Sequence, residues 1–341
     1  MKTSHERGPD ASHHRTLQQI FALLGLAAAI ACGGGGGGSP TQSTPPVVTW
    51  NQTGHVVATN TQTPVAGAHV STTPASADTN GNGDFTLTAP STPTASQKVT
   101  VAAAGYITHE TTMRLPRTDP VNLDLISTAP PFDQTFFDGL ARGGRTGNTY
   151  ALARWDHQMT FYLKTVDENG RPLTDAQLNT IRRGIRDGVQ YFTNGAYKAV
   201  IEEGTGTKEG QAGYVTVLPK VVIPDGDFCS FASEIGGDPS VIDLRLDACG
   251  CKGISIPIIE VLHAVGNAVG MFGVGESGHV MSNPYSIAAC PDVAPTAKER
   301  YHAALIYARP RGNTGPDIDP ITFALSTSGH GGGPEAVIRR P

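Results

Sequence analysis

The pattern of apolar residues changes character near residue 128, and that change requires two kinds of packing layer. From 47 to 127 the apolar residues come in short β-type runs, VVTW, GHVVAT, GAHVSTT, DFTLTA, QKVTVAA and VNLDLI, divided by turn residues. Runs of that length and spacing predict a small antiparallel β-sandwich. From 128 onward, strand-like runs alternate with segments of helical period. RWDHQMTFYLKTV reads as a strand. In LTDAQLNTIRRGIRDGVQYFTN the residues Leu178, Ile181, Ile185 and Val189 share one helical face, with Thr174 as cap and Asp175 in the first turn. YKAVIEEG, GYVTVLPKVVI and SVIDLRL read as strands, ISIPIIEVLHAVGNAVGMFG as a helix over 254–271, and TAKERYHAALIYAR as a last helix opened by a Thr296/Glu299 capping box. The expected fold is multidomain: an antiparallel β-sandwich at 47–127 and an α/β domain at 128–325, with a mixed sheet and long helices. A length of 341 residues suits about two domains.

The N-terminus carries a different signal. Residues 1–19 are polar with Lys2, Arg7 and Arg15, and 20–31 form an apolar run of 12. That run is too short to cross a bilayer and has the length of a signal-peptide core. It ends in AIAC before six glycines. This resembles a bacterial lipobox, with Cys32 lipidated; an ordinary secretory signal with an incidental cysteine is the alternative. The expectation is a signal peptide at 1–31, a lipidated cysteine and Gly/Ser/Pro tether at 32–46, and anchoring to a membrane of the bacterial cell envelope, at the outer membrane or cell surface. The tail 326–341 reads as disordered. Cys229, Cys249, Cys251 and Cys290 remain, an even number in an exported chain, which predicts two disulfides. Cys249 and Cys251 are too close to pair with each other, so each is expected to reach Cys229 or Cys290; a metal site is the other reading. With 16% charged residues, a net charge of −5 and no basic block, nucleic acid is not an expected partner.

Within the first module, Gly54, Pro64-Val65-Ala66-Gly67-Ala68, Thr79-Asn80-Gly81 through Phe85, and Ala104-Gly105-Tyr106 resemble the carboxypeptidase regulatory-like family. The resemblance implies a transthyretin-like β-sandwich with an accessory role and no chemistry. Asp78, Asn80, Asn82 and Gly83 match the start of a calcium loop, but Ala89 stands where its bidentate acid belongs. A hairpin turn explains the same residues.

The second module contains VLHAVGNAVGMFG at 261–273. Beside the zinc-binding pattern H-E-x-x-H-x-x-G-x-x-H, His263 takes the first histidine and Gly270 the glycine. Ala264 occupies the general-base position, and Asn267 and Gly273 the second and third ligand positions. Gly278-His279-Val280-Met281-Ser282-Asn283-Pro284 is similar to the methionine turn that lies beneath the metal in the metzincin zinc metallopeptidases. Element order and these two segments together resemble that class over about 150–320. Residues 296–320, with Arg309, Asn313, Asp317 and Asp319, are similar to a C-terminal segment of bacterial lipoproteins; the two aspartates are expected to bind a cation or to cap a turn.

The chemistry of the class needs two histidines one helical turn apart, a third ligand after a turn, a metal-activated water and a carboxylate that takes its proton. Here His263 is the one conventional ligand left. An amide is a poor zinc ligand, glycine offers no side chain, and alanine accepts no proton. The expectation is a metallopeptidase-like domain without catalytic residues and without a cofactor, which binds a polypeptide ligand. One alternative is an active zinc endopeptidase rebuilt from His263, His279 and an acid, Glu260 or Glu276. A second is a structural envelope protein assembled through the sandwich. No nucleophile elbow surrounds Ser230, and no phosphate-binding loop is present.

Overall fold

The computed structural model describes residues 49–90, 96–143, 151–221, 230–246, 256–282 and 294–321. The signal segment 1–31, Cys32 and its tether, Cys229, Cys249, Cys251, Cys290, Asn283, Pro284 and the tail 326–341 lie outside the described residues. The described residues belong to one compact unit.

Seven strands build the sandwich: β1 (Trp50–Ala58), β2 (His69–Ser71), β3 (Ser76–Asp78), β4 (Asp84–Ala89), β5 (Gln97–Ala102), β6 (His109–Met113) and β7 (Val121–Leu125). They form one sheet of order β4-β1-β7 and another of order β3-β2-β5-β6. Trp50, the last residue of VVTW, and the GHVVA of GHVVAT belong to a single strand, β1. Its alternate residues Trp50, Gln52, Gly54, Val56 and Ala58 all face inward, so the polar Asn51 and Thr53 are outward positions of one continuous pleat. Gly54 is inward because the Phe85 ring occupies the space a Cβ would need. The sheets are not wholly antiparallel, since β7 runs parallel to β1. The residues of the calcium-like stretch make a hairpin turn: Asn80 Oδ1 accepts the Asn82 and Asp84 N–H groups at 2.9 Å each.

The α/β part begins with a helix that apolar period did not reveal, α1 (Gln134–Arg142). Asp133 caps it by accepting from Phe136 N, and Gly143 ends it in the left-handed conformation at φ 70°. Then come β8 (Thr160–Lys164), α2 (Asp175–Phe192), β9 (Val200–Gly204), β10 (Tyr214–Lys220), β11 (Ser230–Ala232), β12 (Ser240–Arg245), α3 (Ile258–Ala268) and α4 (Ala297–Tyr307). The sheet order is β11-β12-β10-β8-β9. β8, β9, β10 and β12 are parallel, and the edge strand β11 is antiparallel to β12, so the sheet is mixed. Thr174 and Thr296 both cap as expected, through full capping boxes with Gln177 and Glu299. α3 is shorter than its sequence pattern. Pro257 stands at its N-cap, where a residue without an N–H starts a helix at no hydrogen-bond cost, and the helix stops at Ala268 ahead of Gly270.

α2 and α3 lie unusually close because Gly184 and Gly188 face Val261 and Val265. The described residues hold two apolar cores, one inside the sandwich and one between the five-stranded sheet and the helices. They are not insulated from each other, since Ile107 and Ile126 belong to the second core. The segment after α4 also returns to the sandwich and pairs Ile318 with Glu110 of the edge strand β6.

Candidate functional site

α3 carries the motif-like residues, and its neighbours fix their atoms. His263 Nδ1 lies 2.8 Å from the Val280 carbonyl oxygen. A carbonyl only accepts, so Nδ1 carries the proton. Burial pushes the His263 pKa below its ordinary 6.5, against the opposing effect of the Val280 bond, so the ring is neutral at pH 7. Val280 opens a turn that is held on three sides. The Met281 N–H donates to Glu299 Oε1 at 2.8 Å, the Met281 carbonyl accepts from Val274 N at 2.6 Å, and the Met281 sulfur fills the space left by the absent side chain of Gly266. Glu299, fully buried, thus caps α4 with one oxygen and holds the turn at Met281 with the other.

The remaining motif positions do not converge on His263 as donors. Ala264 is buried against the core at 1% exposure. Asn267 turns its amide back along α3, where Nδ2 donates to the His263 carbonyl oxygen at 3.1 Å. Gly270 sits at φ 105°, and a Cβ there would lie 2.6 Å from the Ala153 carbonyl oxygen, so glycine is required for the chain to leave the helix. Gly273 follows with no side chain. His279 is placed on a different network: its Nδ1 lies 2.8 Å from Thr296 Oγ1, its Nε2 lies 3.2 Å from Glu276 Oε1, and its ring meets Phe136 edge-on with centroids 4.8 Å apart. Glu276 is further engaged by Lys298 at 2.6 Å, and Glu260 is buried on α3.

Zinc held by protein takes three or four N, S or O donors around one point. Among the described residues, α3 and the turn at Met281 bring one imidazole to that place, so this donor set does not fit the ion.

A second polar cluster lies at the junction between the sandwich and the segment that follows α4. His109, Asp317 and Asp319 bring ligand-type atoms within 4.8 Å of one another, all buried. Their partners account for them without a cation. The Arg309 guanidinium donates to Asp317 from Nε at 2.7 Å and from Nη2 at 2.8 Å, and reaches Asp124 of β7 from Nη1 at 2.8 Å. Asn313 Nδ2 donates to Asp317 Oδ1 and to Asp319 Oδ1, both at 2.9 Å, and His109 Nε2 faces Asp319 Oδ2 at 3.1 Å. A guanidinium already seated on Asp317 repels a dication and occupies the lone pairs it would use. Of this network, the sequence marked Arg309, Asn313, Asp317 and Asp319 as one segment, and gave no sign of His109 or Asp124. His109 sits in the polar strand HETTM, and no local pattern pairs Arg309 with a residue 185 positions earlier.

No family model matches the chain, and no curated protein matches it. Among solved structures, metalloproteinase-II from Bacteroides fragilis aligns over 75% of this chain and 86% of its own, at 12% identity and a TM-score of 0.31. The GM1-bound form of the ECX AB5 holotoxin aligns over 49% of this chain and 87% of its own, at 10% identity and a TM-score of 0.31. A type II cohesin–X-dockerin complex of Acetivibrio cellulolyticus aligns over 22% of this chain at 22% identity and a TM-score of 0.18. The chain spans about half (51%) of the length of the cohesin–dockerin chain that it matches. Scores this low leave the assignment of the fold to the chain's own sequence and strand order.

Proposed function

We propose that this chain is a lipid-anchored protein of the bacterial envelope whose second domain retains a metzincin-like scaffold, without zinc chemistry, to bind polypeptide. The observation that carries the reading is the placement of the motif atoms on α3. His263 is tied to Val280, the Asn267 amide is folded back onto the His263 carbonyl, and Ala264 is a buried methyl where a base would stand. The features that the scaffold uses for packing, Gly266, Gly270 and Met281, are all engaged.

Binding is assigned to β11, the sheet edge beside α3, where Ser230 Oγ donates to the Glu260 carbonyl oxygen at 3.1 Å. An open edge accepts an extended peptide as an added strand. Ser233 N–H donates inward to Val241 O, and N–H groups alternate along an antiparallel strand, so the Ala232 N–H points away from β12.

Two measurements test the proposal. The metal content of the purified protein after dialysis against trace zinc, beside His263→Ala, is expected to stay far below one zinc per chain in both. One zinc per chain that is lost in the variant, with chelator-sensitive cleavage of protein substrates, would replace binding by catalysis. A random peptide library is expected to yield ligands whose binding falls at least tenfold in Ala232→Pro, which removes the outward donor and leaves the inward ladder in place. Ligands that bind both proteins equally would rule out the β11 edge.

A further inference from the structure

The junction between the sandwich and the segment after α4 contains a histidine whose two ring nitrogens both face acceptors. His109 Nε2 lies 3.1 Å from Asp319 Oδ2, and His109 Nδ1 lies 3.1 Å from the Asp124 carbonyl oxygen. A neutral imidazole has one N–H and serves one of these; both are served only by the imidazolium. His109 is 5% exposed, so both bonds lie largely out of solvent.

The backbone around this ring is a small sheet extension. Glu110 N–H donates to the Asp317 carbonyl at 2.9 Å, and Asp319 N–H donates to the Glu110 carbonyl at 2.8 Å. The chain at 317–319 therefore covers the open edge of β6, and His109 is the side chain of β6 that holds it there.

We propose that His109 is a proton-operated latch: its imidazolium tightens the docking of the 317–319 segment on the β6 edge, beside the pH-independent tie of Arg309 to Asp317, and loss of the proton makes that edge open more often.

The charges that face His109 come from both sides of the junction. Asp319 and Asp317 favour its charged form, and Arg309 opposes it. Asp124 on β7 supplies the carbonyl acceptor and gives its carboxylate to Arg309. On the neighbouring residue of β6, Glu110 is paired with Lys98 of β5. Burial and Arg309 work against protonation of His109, yet the Asp319 hydrogen bond and the two carboxylate charges outweigh them and raise its pKa above the ordinary 6.5. Burial likewise opposes ionisation of Asp319, and His109 with Asn313 and Arg309 more than offsets it, holding that carboxyl below its ordinary 3.8. A raised histidine contributes stability below 6.5 that is lost as pH climbs through the folded-state value. A lowered carboxyl contributes stability above 3.8 that is lost as pH drops through its own folded-state value. The latch is closed between these limits and opens on the alkaline side through His109. An uncovered sheet edge is a template for pairing with another chain.

The test is amide hydrogen exchange on the full chain from pH 5 to 9, read at Glu110 and Asp319, with β10 amides as control and the His109 ring followed by NMR. Protection at the two reporters, corrected for intrinsic exchange, is expected to hold at acid pH. It then falls as pH climbs from 6.5 to the folded-state value of His109, by at most about tenfold per pH unit, and levels off once the ring has lost its proton. In His109→Gln it is expected to be low and flat with pH. Asp319→Asn is expected to bring the His109 titration to lower pH, a readout that needs no loss of fold. Reporter protection that stays flat while His109 titrates in the wild-type protein overturns the proposal. So does the same alkaline fall in His109→Gln. If that variant does not fold, the wild-type comparison of exchange with titration decides alone.

Discussion

Arg309 reaches across the junction to Asp124, with Nη1 2.8 Å from Oδ2, while its Nε holds Asp317 at 2.7 Å. The side chain is 1% exposed, and Asp317 is equally buried. Desolvation opposes its charge, but Asp124 and Asp317 overcome that and raise its pKa far beyond the ordinary range, so it stays charged at every accessible pH. One guanidinium thus ties a strand of the sandwich to the end of the α/β part, and the two cores are expected to unfold together.

Arg309→Met keeps most of the volume and removes the charge. It leaves two carboxylates facing each other without their shared donor, and breaking a buried ion pair from one side costs about 3–5 kcal/mol. Urea denaturation followed by tryptophan fluorescence, with Trp50 in one core and Trp155 in the other, is expected to show that loss in one shared transition. A change under about 1 kcal/mol, at the level of a surface pair, would mean the junction does not depend on Arg309.

The close contact of α2 and α3 makes a second prediction with a diagnostic sign. A Cβ on Gly184 would lie 2.5 Å from Val261 Cγ1, and one on Gly188 2.7 Å from Val265 Cγ1. On an exposed helix face, glycine to alanine stabilises by about 1 kcal/mol. At these sites Gly184→Ala is expected to destabilise by about 1–3 kcal/mol through overpacking. A rise in Tm for Gly184→Ala would show that the helices have room to part.

Much of this arrangement was legible in the sequence where the signal was local. The period of Leu178, Ile181, Ile185 and Val189 marked α2, and Thr174 and Thr296 marked helix starts by a cap whose partners lie three residues away. α1 was hidden because its sequence QTFFDGLAR follows two prolines and is short; its apolar face is completed by α4 rather than by its own period. β6 was hidden for a related reason. HETTM is polar, and it is a strand because β5 on one side and Ile318 on the other pair with it. At the α3 site the residue types showed which atoms are missing. They did not show where His263 and His279 point, because the Val280 and Thr296 contacts come from segments that only tertiary packing brings near.

His302 supplies a pH dependence of opposite sign to His109. Its ring is fully buried between α1 and α4, with Nδ1 donating to the Lys298 carbonyl at 2.8 Å and Nε2 accepting the Asp133 N–H at 3.0 Å. One donor and one acceptor define a neutral ring, and a proton on Nε2 would break the Asp133 bond. Burial, the largest influence, lowers its pKa below 6.5. The folded state binds fewer protons than the unfolded one, so this contribution is complete above 6.5 and is lost as pH falls. Urea melts at pH 7, 6 and 5 are expected to show stability dropping toward pH 5. The slope should be smaller in His302→Gln by up to about 1.4 kcal/mol per pH unit. An unchanged slope would place the acid sensitivity elsewhere.

If α3 is a zinc scaffold that lacks donors, returning the donors should return the metal in a fixed order. Asn267 is one helical turn after His263, on the same face, so Asn267→His supplies a second imidazole; two donors alone hold zinc weakly. Asn267→His with Gly273→His supplies three, and zinc in excess is then expected to stabilise the protein by about 3–4 kcal/mol at 100–1,000 times Kd, read as a zinc-dependent rise in Tm absent from the wild type. The base is a separate matter. Ala264→Glu places a carboxylate at a position that is 1% exposed, which is costly without a metal or water to meet it. On its own it is expected to lower stability and give no hydrolysis. Added to the double histidine variant, it is expected to cost less and to bring measurable cleavage of a casein substrate. No zinc-dependent shift in the double histidine variant would mean that the helix shares a motif frame with the metallopeptidases but not the geometry around the metal.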